Sequence, residues 1–171
     1  MSNDTGSQQF STEGFARRVE KPWGHEIHWT PDDRPYAGKV LHVNAGKRLS
    51  LQVHEAKTES WLLMSGRAMV VWDDGSGELI ETELQPGLGY SCRIGQIHRL
   101  VGITDCDILE LSTPEIGTTQ RLEDDYARPD ETEELRSAPG RGWAGAQLDP
   151  TGTPCGSGVA PVTPLEPDNA R

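Results

Sequence analysis

The stretch Arg48–Gly66, RLSLQVHEAKTESWLLMSG, decides the fold. Its first half is a strand in which Gln52 and His54 share one face while Leu49, Leu51 and Val53 take the other, because side chains alternate along an extended chain. Glu59 opens a second strand, and the intervening EAKT turn can return it beside the first pair. An amide, an imidazole and a carboxylate cost free energy in a core without partners. Something is expected to bind them.

Outward from this hairpin, short runs rich in branched and aromatic residues alternate with Gly, Pro, Asn and Asp turns: HEIHWT, AGKVLHVN, RAMVVWDD, GELIETEL, GYSCRI, HRLVGI and DILELSTP. Such closely spaced runs indicate an all-β sandwich or barrel. SGRA and DDGSGE have the composition of tight strand connections, the latter with Gly where a hairpin needs positive φ. No long stretch has the apolar spacing of a helix, which disfavours helical and βαβ folds.

At 171 residues the chain suits one domain, expected over residues 16–128. Residues 1–15, rich in Ser, Gly, Gln and Asn, form a flexible leader, and residues 129–171 a Pro/Gly-rich tail. Within that tail a short helix through PDETEELRS and a docking contact by Trp143 are expected. The formal charge of −11 repels a phosphate backbone, so nucleic acid is excluded as a partner. Cys92, Cys106 and Cys155 are widely spaced and odd in number, which suggests neither a disulfide framework nor a thiolate zinc site. With no basic, apolar start and no run long enough to span a bilayer, a soluble cytoplasmic protein without membrane contact is expected.

PGLGYSCRIGQIHRL adds a second imidazole, His98, at the start of a strand after a glycine-bearing turn. Two imidazoles, a carboxylate and an amide oxygen suit one divalent ion, Zn²⁺ first, with Fe²⁺, Mn²⁺, Co²⁺ or Ni²⁺ as alternatives. A buried hydrogen-bond network without metal is the plainer reading of any one of these residues alone. Arg99 and Arg121, with Lys47 and Arg48 behind them, are candidates for holding an anionic substrate, since guanidinium offers a bidentate fork; surface salt bridging is the ordinary alternative. Trp61, close to Glu59 in sequence, is a candidate pocket wall, whereas Trp23, Trp29 and Trp72 suit a core or interface. His25, His28 and His42 suit structural or rim positions.

These residues carry a resemblance. Gly46, five residues, Gln52-Val53-His54, four residues, Glu59, six residues and Gly66 resemble the first cupin motif, with Gln in place of the usual first His. Gly87, five residues, Arg93, one residue, Gly95, two residues and His98 resemble the second, with Arg93 where proline is usual and Gly102 where asparagine is usual. The glutamine, EKPWG (Glu20 to Gly24), RLSLQ, His98-Arg99-Leu100 and QRLEDDYAR (Gln120 to Arg128) resemble the cupin domain of bacterial type II phosphomannose isomerases, of the mannose-6-phosphate isomerase type. The resemblance implies a double-stranded β-helix, or jelly roll, with Gln52, His54, Glu59 and His98 as metal ligands. It further implies Glu110 as catalytic acid and base and Arg121 as the phosphate-side arginine.

A metal-dependent isomerase or epimerase of a phosphorylated or nucleotide-linked sugar is therefore expected, acting by proton transfer next to a carbonyl. His54, Glu59 and His98 also make the two-histidine, one-carboxylate set of iron-dependent oxygenases. A cupin oxygenase on a small biosynthetic intermediate and a non-catalytic sugar-binding cupin are the alternatives. A homodimer is expected, because jelly-roll edges and apolar sheet faces are commonly protected by a second copy.

Overall fold

The computed structural model describes residues 13–138. Eleven strands run in chain order: β1 (Arg17–Lys21), β2 (Gly24–His28), β3 (Ala37–Val43), β4 (Leu51–His54), β5 (Glu59–Ser65), β6 (Ala68–Asp73), β7 (Leu79–Glu83), β8 (Gly89–Cys92), β9 (His98–Gly102), β10 (Cys106–Ser112) and β11 (Thr119–Glu123). They form a six-stranded sheet ordered β1-β2-β3-β10-β5-β8 and a five-stranded sheet ordered β11-β4-β9-β6-β7. All strand pairs are antiparallel. The jelly-roll expectation is met, and each quoted run forms a strand.

What positions the site is a change of character along each strand. On β3 the inward side chains read Lys39, Leu41, Val43, on β10 Cys106, Ile108, Glu110, Ser112, and on β5 Glu59, Trp61, Leu63; all are buried. In register, the apolar members gather at one end of the barrel with Ala68, Val70, Leu84 and Leu100 into a continuous core. The charged members gather at the other end, where they line a cavity. One end is dry and stabilises the sandwich by apolar burial. The other keeps ionic groups that are held only by one another.

Gly66 makes the β5–β6 connection at φ 72°, and a Cβ there would collide with the Asp105 carbonyl, so only glycine fits. Residues following 128 are attached to the barrel: Glu131 pairs with Thr119, Asp130 accepts from the Arg121 backbone N–H, and helix α1 (Glu133–Ser137), capped by Thr132, sends Arg136 to the Glu115 and Gly117 carbonyls. A tail read as beginning at 129 thus contributes ordered contacts through 138. Trp143 and Cys155 lie outside the described residues. Among the described residues no helix is long and apolar enough to cross a membrane.

Candidate metal centre

Strand β4 places Gln52 and His54 on its inner face, and register sets Gln52 directly opposite His98 on β9. From the facing sheet, Glu59 at the start of β5 reaches across to both imidazoles. Its carboxylate oxygens lie 3.2 Å from His54 Nε2 and 3.3 Å from His98 Nε2. The Gln52 amide completes the group, its terminal nitrogen 3.3 Å from His54 Nε2 and 3.5 Å from His98 Nε2. His54, Glu59 and His98 are at most 4% exposed.

Both imidazoles are oriented from behind. His98 Nδ1 faces the Gln96 carbonyl at 2.9 Å, and because a carbonyl only accepts, Nδ1 carries a proton and Nε2 is the nitrogen turned to the site. His54 Nδ1 bonds Thr119 Oγ1 at 3.0 Å. The turn that presents His98 is fixed by the Gln96 side chain, which accepts from the Arg93 N–H and donates to the Asp73 carbonyl, while the Gly95 N–H bonds the His54 carbonyl. Arg93, where proline is usual, is thus accommodated in a tied turn.

The donor set fits a divalent ion. Metal–ligand bonds of about 2.0–2.2 Å put neighbouring donor atoms about 3–3.4 Å apart, the spacing found between Glu59 and the imidazoles. The ligand atoms of His54, Glu59 and His98 lie within 4.8 Å of one another. Turning the Gln52 amide over would aim its oxygen at the centre and let its nitrogen donate to Ser50 Oγ, which lies 2.8 Å from the amide oxygen; the two ends of an amide are interchangeable in shape.

Charge surrounds this group. Burial alone would raise the Glu59 pKa, yet the Lys57 ammonium and the imidazole bonds outweigh it and hold the carboxyl well below its usual range. For His98 burial works downward, but Cys92 and Glu59 prevail and raise its pKa. Lys57, in the β4–β5 connection, touches the Glu59 carboxylate and lies 3.3 Å from Glu110 and 3.7 Å from Glu115. Despite burial, these carboxylates keep its pKa well above the ordinary lysine value, so it is a fixed cation. Glu110 projects into the cavity and also lies 3.7 Å from Lys39.

Arg121 lines the same cavity, opposite Gln52 in register, and bonds Glu131 at 2.9 Å. The remaining candidates lie elsewhere. Arg99 alternates with His98 along β9 and leaves on the opposite face, where it bonds the Glu123 carbonyl and carboxylate. Arg48 is exposed and held by Asp125, and Lys47 is exposed beside it. Trp61 packs against the His98 ring, 5.2 Å between centroids, as a core residue outside the cavity wall. Leu49 and Ser50 precede β4, so alternation does not govern them, and both line the cavity.

Sequence reasoning missed Glu26, Lys39, Lys57, Glu115 and Arg128, all of which line the cavity. Lys39 and Glu26 carried a readable signal, since each shares strand parity with buried neighbours: Leu41 and Val43 for the first, His28 for the second. Lys57 sits in a turn, where no period applies. Arg128 is brought in by the Asp124–Arg128 turn, in which Ala127 adopts φ 52° and Asp124 bonds the guanidinium.

The family model described as "Mannose-6-phosphate isomerase C-terminal" matches residues 8–131. The chain belongs to that family. It is similar to alginate biosynthesis protein AlgA of Pseudomonas aeruginosa, with 32% identity over 115 residues, 64% of this chain and 23% of that protein. The chain therefore spans about a quarter of the length of that relative. Solved structures of similar shape include Bacillus subtilis oxalate decarboxylase, at 17% identity with a TM-score of 0.56 over 67% of this chain and 33% of that one. Lactobacillus farciminis oxalate decarboxylase matches at 19% identity with a TM-score of 0.56 over 67% and 37%. At these identities the likeness is one of fold, the cupin jelly roll.

Proposed function

We propose that this cupin is a metal-dependent isomerase or epimerase of a phosphorylated or nucleotide-linked sugar. The observation that carries the reading is the convergence, in one cavity, of Gln52, His54 and Glu59 with Glu110, the fixed cation Lys57 and Arg121, with His98 grouped against His54 and Glu59. Family membership supports the substrate class.

A bound divalent ion would supply a Lewis acid that polarises the sugar carbonyl. Arg121 anchors the anionic group through its guanidinium fork. Glu110 removes the proton from the carbon beside the carbonyl and returns it to the former carbonyl carbon, while the hydroxyl proton of the first carbon passes to the former carbonyl oxygen, so no oxidant or reductant is consumed. Lys57 donates a charged hydrogen bond to the sugar oxygen on which negative charge develops. The barrel walls exclude bulk water, which strengthens each of these interactions. The free, buried Cys92 and Cys106 suit a reducing cytoplasm as the setting. A homodimer completes the proposal.

Incubating metal-loaded protein with mannose 6-phosphate or other sugar phosphates in deuterated water tests the reaction. Deuterium should enter at the carbons flanking the carbonyl, and Glu110→Gln, with its metal retained, should slow entry about 10²–10⁴-fold. Full retention of every carbon-bound hydrogen across the sugars and across Zn²⁺, Fe²⁺, Mn²⁺, Co²⁺ and Ni²⁺ would sink the isomerase reading.

A further inference from the structure

Outside the barrel a polar row crosses the outer face of the six-stranded sheet. Register aligns Glu20 on β1, His25 on β2, His42 on β3, Asp107 on β10 and Ser65 on β5. His42 alternates with the inward Leu41 and Val43, so this row faces away from the cavity. The His25 and His42 rings stack with centroids 4.7 Å apart and planes 23° from parallel. Asp107 Oδ1 lies 2.8 Å from His42 Nδ1, and Ser65 Oγ donates to Asp107 Oδ2 at 2.8 Å.

We propose that His25 and His42 form a second, surface site for a transition-metal ion, with Asp107 as the positioning residue that orients His42. A carboxylate held by a serine hydroxyl accepts the Nδ1 proton of His42, which leaves the Nε2 lone pair as the donor available to a metal. This carboxylate–imidazole arrangement fixes the tautomer and raises ligand basicity at metal centres. The His42 side chain is 29% exposed, so water can fill the remaining coordination positions. Two neutral imidazoles select Zn²⁺, Ni²⁺ or Cu²⁺ over Mg²⁺ or Ca²⁺.

The surrounding charges are consistent with that choice. Burial, then Arg18 and His42, lower the His25 pKa, which favours the neutral ligand form. Burial raises the Asp107 pKa, but its bonds from His42 and Ser65 win and keep it ionised. Arg18, the nearby cation on β1, is occupied by Glu20, its Nε 2.5 Å from the carboxylate. The site shares no residue with the barrel centre and stands independently of the proposed catalysis.

Titrating the full chain with Zn²⁺ alone, read by calorimetry and by the imidazole nitrogen resonances of His25 and His42, tests it. Those two resonances should move together in the unmutated protein. The doubly substituted His25→Ala, His42→Ala chain should lose one bound ion, and Asp107→Ala should weaken that ion about 10–100-fold. His98→Ala removes the barrel centre and should leave the surface site intact, so the two sites fail separately. Unmoved His25 and His42 resonances, an unchanged stoichiometry in the double variant, or unchanged affinity in Asp107→Ala would overturn the proposal.

Discussion

Glu26 sits inside the barrel at 6% exposure, with Lys21 at 3.3 Å, Lys39 at 4.0 Å and His28 Nε2 at 2.7 Å. Burial pushes its pKa up, but Lys21, Lys39 and His28 together hold it well below the ordinary 4.5. A carboxyl whose folded value is depressed stabilises the fold fully above its unfolded value, and that stability is lost as pH falls through the folded one. Urea unfolding free energy should therefore decline from pH 4.5 downward. Glu26→Gln, less stable at neutral pH because two lysines lose a partner, should show a shallower decline in that window. An equal slope in both proteins would refute the assignment. Glu26 also illustrates what sequence reading passes over. The candidate donors were legible because an amide, a carboxylate and two imidazoles fall at two matched spacings, whereas Glu26, Lys39 and Lys57 meet their partners on strands and loops that only the fold brings together.

Strand β10 shows how one element serves two surfaces. Its inward residues, Ile108, Glu110 and Ser112, build core and cavity. Outward, Leu109 aligns with Val40 and Ile27 on one side and Leu62 on the other, an apolar row across four strands flanked by the exposed Leu111 and Met64. A second copy packed on this row would remove it from water, so light scattering at micromolar concentration should give a dimer mass. Introducing charge with Met64→Lys and Leu111→Lys should yield a folded monomer. A monomer mass for the unmutated protein would refute the dimer. Strand recognition itself failed at two of the four sheet edges. The runs with branched and aromatic alternation were legible, but β1, RRVEK, and β11, TQRLE, were not read as strands. Both are sheet edges, where charged side chains blunt aggregation and erase the apolar pattern.

Across the whole molecule the all-β architecture was readable from residues alone and the jelly roll from the cupin resemblance, while the arginines were only half readable. Arg121 reaches the cavity because its strand pairs with β4 in the register that sets it opposite Gln52. Arg99, chosen for its guanidinium fork, directly follows His98, and on a strand that places it on the opposite face. The cavity wall holds five basic side chains, Lys21, Lys39, Lys57, Arg121 and Arg128, and five acidic ones, Glu26, Glu59, Glu110, Glu115 and Glu131. Its formal charge is therefore zero, and the −11 of the chain is carried entirely by residues outside it. This partition has a kinetic consequence. A sugar phosphate approaching from bulk solvent meets a repelling field before it meets Arg121. Because that field is screened over about 10 Å at 0.1 M salt, capture of the anion should quicken as ionic strength rises from about 0.01 M to 0.1 M. Slower capture over the same range would place an attracting potential at the cavity mouth instead.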